Sequence, residues 1–140
     1  MVPQAVANAL WAYATLGVTP EPPLLSALSQ AAQREAPRMV PQNVANALWA
    51  CAVLEQPAPA GVVDAAARLP SESLSHLGWC QLHQAHLSAP LPLPEATLRE
   101  AERAWRQQAE LVTESRLQQD VTRVLHKAPS RGALSDSRRG

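Results

Sequence analysis

Two pairs of amide side chains recur at a fixed distance along this chain and have the chemistry of a hydrogen-bonding site. Gln4 and Asn8 are four residues apart, and Gln42 and Asn46 repeat that spacing 38 positions later. Each amide both donates and accepts hydrogen bonds. Residues four apart lie on the same side of a helix. The sequence therefore predicts two equivalent polar sites, one on each of two helices.

The helices that position these amides belong to an internal repeat. Residues 1–16 read MVPQAVANALWAYATL and residues 39–54 read MVPQNVANALWACAVL, so thirteen of sixteen positions are identical. A fixed period of this length is typical of stacked helical repeats. Proline opens each helix, where its missing N–H would be unpaired in any case. Apolar residues cover most of the circumference, as in a helix buried between neighbours.

Proline-rich breaks divide the chain into five parts. Each full repeat is a pair of helices that bury their apolar faces by stacking. The predicted fold is all-α, an α-solenoid of helical hairpins with a 38-residue period, followed by two amphipathic helices and a disordered tail. The expected parts are repeat one at 1–38, repeat two at 39–70, a degenerate terminal repeat and proline-rich spacer at 71–94, a C-terminal helical pair at 95–127 and the tail at 128–140.

The C-terminal helical pair is predicted from two amphipathic patterns. The first pattern places Leu98, Ala101 and Trp105 on an inward face. A plausible capping box, Ser115 with Gln118, starts the second helix. Its expected inward residues are Leu117, Val121, Val124 and Leu125.

Composition excludes several function classes. The formal net charge is zero and no dense basic run is present, so charge alone does not indicate nucleic acid. No apolar stretch approaches the roughly 18 residues of a membrane span, and we expect no membrane partner. The sequence has no glycine-rich phosphate loop and no nucleophile motif. We therefore predict a protein that is not an enzyme and uses no cofactor.

A group of metal-binding residue types occurs on one predicted helix. His76, Cys80, His83 and His86 are spaced three and four residues apart, which suits metal ligands. A single straight helix does not easily close a tetrahedral shell, and no partner cluster occurs elsewhere in the sequence. We interpret the histidines as a surface or interface group and predict no metal site. Cys51 and Cys80 are expected to be buried, reduced thiols.

Two stretches resemble known families. The 38-residue period with its helix PQNVANALWACAVL resembles the octotricopeptide repeat family, whose members are helical-hairpin solenoids that act on organellar RNA. WCQLHQAHLSAPLPLPEATLREAERAW, followed by SRLQQDVTRVL, resembles the segment leading into a RAP domain, an arrangement shared by the FAST kinase family. The text that follows, APSRGALSDSRRG, does not resemble a RAP module, so we expect that module to be absent from this chain.

The resemblance implies an RNA-binding protein of a mitochondrion or chloroplast, with a role in RNA processing, mRNA stability or translation. Its expected partners are single-stranded RNA and other organellar RNA-processing proteins. In such solenoids one helix of each hairpin presents two or three side chains to one base. The candidate RNA-binding residues are the amides Gln4, Asn8, Gln42, Asn43 and Asn46, the base-stacking Trp11 and Trp49, and the phosphate-binding Arg34 and Arg38.

Each of these residues has a plainer alternative role. The amides can satisfy backbone groups or cap neighbouring helices. The tryptophans can belong to the core, and the arginines can be solvated surface charges. Where the two repeats differ, Ala5 corresponds to Asn43, so this position is a candidate for discriminating bases. The alternative function is a protein-interaction solenoid of the armadillo or HEAT type, with a peptide in its groove.

Overall fold

The structure, a computed structural model, describes the backbone of residues 2–134, with side chains up to residue 125, and this part of the chain consists of helices joined by turns and loops. No strand occurs in that range, which confirms the all-α prediction. The helices are α1 (Pro3–Leu16), α2 (Pro22–Glu35), α3 (Pro41–Val53), α4 (Ala60–Ala67), α5 (His76–Ser88) and α6 (Glu95–Leu134), with a 3₁₀ turn at Ala36–Arg38.

α1 and α3 begin at the prolines that the sequence indicates, whereas α2 begins at Pro22, inside a predicted proline-rich break. Each has proline in its first turn, after an N-cap residue in an extended conformation. Proline is favoured there because its fixed φ suits the helix and its missing N–H leaves no bond unmade. α5 starts differently, since the Ser75 hydroxyl accepts a hydrogen bond from the Gly78 N–H at 3.1 Å. The helix starts are therefore set locally.

The two copies of the repeat also end alike. Gly17 has a left-handed φ of 70°, and the N–H of Val18 donates to the Tyr13 carbonyl at 3.0 Å. Thirty-eight positions later, Glu55 has a φ of 58°, and the N–H of Gln56 donates to the Cys51 carbonyl at 2.8 Å. This is the same helix-ending turn, which normally favours glycine. Glu55 adopts it at a conformational cost.

The helices up to Trp105 form one compact unit with two layers. α3 packs between α1 and α5 in the first layer, and α2 packs beside α4 in the second. Large side chains fill the centre, and the most deeply buried are Leu10, Leu48, Leu82, Val6, Val44 and Val62. Alanines fill most of the remaining core positions, so the helix backbones approach closely.

The start of α6, up to Trp105, belongs to this same compact unit. Ala101 is 2% exposed, and Leu98 and Trp105 pack partly buried against the core. The ring of Trp105 lies 5.6 Å from that of His83 on α5. The inward face predicted for this helix is confirmed.

The prediction of two separate C-terminal helices is wrong, because α6 runs without a break from Glu95 to Leu134. Neither glycine nor proline occurs between residues 95 and 127, and extending an existing helix costs less than starting a new one. The capping box at Ser115 therefore does not form. The described backbone of α6 continues to Leu134, into the stretch for which we predict a disordered tail from residue 128. Residues 135–140 of that predicted tail lie outside the described residues.

The second compact unit begins at Arg106 and consists of the remainder of α6. A lone helix offers no second element to bury a side chain within the unit. The apolar residues predicted to face inward are consequently between 53% and 65% exposed, namely Leu117, Val121, Val124 and Leu125. None of the helices in the described range is long and apolar enough to cross a bilayer.

Candidate nucleic-acid interface

A cleft of about 570 Å³ lies between the first turns of α1 and α3. It brings together six of the nine residues that the sequence singled out. Gln4 and Asn8 line it from α1, and Gln42, Asn43 and Asn46 line it from α3, with Arg38 beside them in the 3₁₀ turn. The matching ends of the two helices face the same cleft because the repeats stack in register.

Three amides at one side of this cleft form a closed hydrogen-bonded group. The Nε2 of Gln42 donates to the Oδ1 of Asn46 at 3.0 Å and to the Oε1 of Gln81 at 2.9 Å. The Nε2 of Gln81 donates to the same Asn46 oxygen at 3.1 Å. α5 comes close enough because residue 78 is glycine, where a Cβ would lie 3.1 Å from the Gln42 Oε1. The group holds Gln42 and Asn46 in fixed orientations.

Gln81 was not among the site residues predicted from the sequence. The sequence of α5 does not repeat that of α1 and α3. Its Trp79 is not equivalent to Trp11 or Trp49, because it is 4% exposed and its Nε1 donates to the backbone carbonyl of Ser71. The informative signal is a spacing of 35 residues. It relates Asn46 to Gln81, and also Trp49 to Gln84.

Asn43 is the most buried amide of the cleft, whereas Gln4 and Asn8, which also have no side-chain hydrogen bond to a described residue, are exposed. It is 7% exposed, and within the described range no side-chain hydrogen bond ties it to another residue. Its counterpart in the first repeat is Ala5, which carries no polar group. The Asn43 amide atoms are not among the fully buried polar atoms that lack a partner, so they open onto the cleft. A ligand in the cleft can therefore bond to Asn43.

The two arginines are placed differently. The Arg38 guanidinium is 67% exposed at the cleft and pairs with Glu35 one turn earlier. The Glu35 side chain is 13% exposed, so the pair is open to solvent on the arginine side only. Arg34 is exposed at the end of α2 and is not among the residues lining the cleft. Of the two predicted phosphate contacts, only Arg38 is at the site.

The two tryptophans also separate. Trp49 packs partly buried against the core, and its Nε1 donates to the Oε1 of Gln84 at 2.9 Å. Trp11 is 40% exposed. Neither ring lines the cleft, since each lies one turn further along its helix than the amides. Stacking on a base was predicted for both rings. The Trp11 ring is exposed enough to stack on a base, whereas most of the Trp49 ring is covered by the core.

The histidines of α5 have separate surroundings. The Nδ1 of His86 accepts a hydrogen bond from the Leu91 N–H at 2.9 Å, and His83 stacks near Trp105. Within the described residues no three histidine, cysteine or acidic side chains are grouped as metal ligands would be. Burial raises the pKa of the Cys51 thiol from the usual 9.0 to about 11, and raises that of Cys80.

No known protein family matches this chain, and neither a curated protein nor a solved structure is significantly similar to it. The octotricopeptide resemblance therefore stays a prediction. The proposed function therefore depends on the geometry of the cleft.

Proposed function

We propose that this protein binds single-stranded RNA and that the cleft between α1 and α3 holds one base. The observation that carries the proposal is the convergence of five amide side chains on one cleft of about 570 Å³. That volume lies within the range of pockets that bind small ligands. The amides come from two copies of one sequence, so the site is a consequence of stacking the repeats.

Amide side chains suit a base as ligand because the edge of a base carries both hydrogen-bond donors and acceptors, and an amide can bond to either kind. Unpaired bases in single strands expose those edges, whereas the major groove of an RNA duplex is too deep and narrow for side chains. Asn43 offers both kinds of group and has no side-chain partner within the described range. In this proposal Asn43 contacts the base, while Gln42, Asn46 and Gln81 hold the wall of the cleft in place.

The phosphate of the same nucleotide has two sources of attraction. The N-terminal turns of α1 and α3 both border the cleft, and helix N-termini carry partial positive charge. Arg38 adds a full charge that can move from Glu35 to a phosphate. With so few charges, the logarithm of the affinity should fall with the logarithm of salt at a slope of about −1, the value for one or two phosphate contacts on a single strand.

The biological setting follows from the resemblance alone. The stacked hairpins belong, in this proposal, to a solenoid with a 38-residue period, and the protein acts in an organelle on RNA processing, stability or translation. Other organellar RNA-processing proteins would be its partners. The supporting observation is that α1 and α3 present matching residues to one cleft.

A peptide-binding groove is the second candidate function, and one observation favours it. An apolar cleft of about 420 Å³ lies between α3, α4, α5 and the segment after α5. Leu48, Val63, Ala85 and Leu91 line it, with Asp64 as its acidic group. Such a surface would accept an apolar side chain of a partner peptide.

Fluorescence anisotropy with a pool of short labelled RNAs separates the two functions. We expect the purified protein to bind the single-stranded pool, to bind the same sequences poorly as duplexes, and to lose affinity modestly as salt rises. A folded, helical protein that binds neither form of RNA would contradict the proposal. That result would favour the peptide groove.

A further inference from the structure

The two copies of the repeat bury matching residues to very different extents. Leu54 is 7% exposed at the end of α3, whereas its counterpart Leu16 in α1 is 74% exposed. Ala50 is completely buried, and its counterpart Ala12 is exposed. The sequences around these positions are nearly identical, so the difference comes from what lies next to each helix.

The neighbour that buries the second copy is α1. Asn43, Ala47, Ala50 and Leu54 are spaced four, three and four residues apart, so they share one side of α3. Trp49, which bonds to α5, lies about 130° away from that side around the helix. Since α3 packs between α1 and α5, the first side faces α1.

The same asymmetry occurs in the second layer. Val62 of α4 is completely buried, whereas its counterpart Leu24 in α2 is 43% exposed. The next matched positions, Leu25 and Val63, are buried in both copies at 5% and 7% exposure. The exposed side chains of the first hairpin therefore form one surface across both layers. We call this surface, made of Ala12, Leu16 and Leu24, the end face.

We propose that the end face is a docking surface for a further helical hairpin of the same kind as residues 3–35. The geometry identifies this occupant, because the equivalent positions one repeat later, Ala50, Leu54 and Val62, are already covered by such a hairpin. The docking helix would present the side of α1 that now lies on α3, where Ala7 and Ala14 are buried. Small side chains there allow close approach, and Leu16 would fill the position that Leu54 fills against α1.

A tandem variant tests the proposal. Residues 1–38 are repeated directly ahead of residue 1, so that the 38-residue spacing continues, and thermal unfolding is followed by circular dichroism. We expect a single transition with a midpoint at least about 5 °C above that of the original chain, because the added interface buries apolar surface in the same cooperative unit.

One substitution then distinguishes docking from a general effect of length. Leu16→Asp should leave the midpoint of the original chain unchanged, because Leu16 is largely exposed there. In the tandem variant the same substitution, made in the original copy, should remove most of the gain. Thr15→Asp is the matched control, since residue 15 and its counterpart Val53 are both exposed. It should have no effect in either protein.

Three results would overturn the proposal. The added hairpin could stay unfolded or melt separately while the original midpoint is unchanged. Leu16→Asp could have the same effect in both proteins. Finally, sedimentation could show that the original chain is a dimer that Leu16→Asp dissociates, which would make a second copy of the chain the occupant of the end face.

Discussion

Trp11 and Trp49 occupy matching positions of the two repeats, yet the structure predicts opposite consequences when each is changed to alanine. Trp49 packs against the core and bonds to Gln84. Its removal should cost about 3 kcal/mol of unfolding free energy, the low end for a buried tryptophan, because the ring is only partly covered. Trp11 is 40% exposed, so its removal should cost less than that of Trp49, about 1–2 kcal/mol.

RNA affinity should follow the reverse order. Trp11 lies one turn beyond the cleft, so in this proposal it stacks on a base next to the one in the cleft. Such stacking contributes about 1–3 kcal/mol, so Trp11→Ala should weaken binding roughly fivefold to a hundredfold in a protein that stays folded. Urea unfolding followed by circular dichroism gives the stabilities, and anisotropy with labelled single-stranded RNA gives the affinities. Equal stability losses for the two variants would refute the different burial of the rings. An unchanged affinity in Trp11→Ala would refute the stacking role.

Two further predictions concern the ends and the interior of α3. Glu55→Gly should raise the unfolding free energy by about 0.5–1 kcal/mol, because Glu55 has a φ of 58° that disfavours a side chain. Gly17→Ala, the matched change in the other repeat, should lower the unfolding free energy. A Glu55→Gly protein less stable than the original would contradict the conformational cost at Glu55. Burial raises the pKa of the Cys51 thiol to about 11, so a maleimide at neutral pH should label Cys51 far more slowly in the folded protein than in urea. Since the folded state holds that proton more tightly than the unfolded chain, the unfolding free energy should fall as the pH rises from about 9 toward 11, and a pH-independent stability in that range would contradict the burial of the thiol.

The parts of the fold that depend on local signals were predictable from the sequence. Proline fixes the predicted starts of α1 and α3, and Gly17 ends α1. The long α6 was not predicted, because a capping signal at Ser115 competes with helix propagation from residue 95 and sequence alone does not decide between them. The burial of Leu117 was overestimated for a related reason. An apolar stripe indicates a face, but it does not supply the partner that covers it.

The candidate site was predictable as far as the repeat is exact. Gln4 and Gln42 occupy matching positions, and their convergence on one cleft follows from stacking. Gln81 was missed because α5 has diverged, and its register against α3 depends on the close approach at Gly78. The different burial of Trp11 and Trp49 could not be predicted, because the sequences around the two residues are nearly identical. It arises because Trp49 has α5 beside it.

If Asn43 bonds to a base in the cleft between α1 and α3, as we propose, Asn43→Ala removes that contact. The substitution places in the second repeat the residue that the first repeat has at Ala5, so helicity and stability should be retained. Gln30→Ala is the control, since that amide lies on α2 and does not line the cleft. We predict that Asn43→Ala weakens binding of single-stranded RNA at least about fivefold, as expected for one lost hydrogen bond, while Gln30→Ala binds like the original protein. A folded Asn43→Ala protein with unchanged RNA affinity would contradict the proposal.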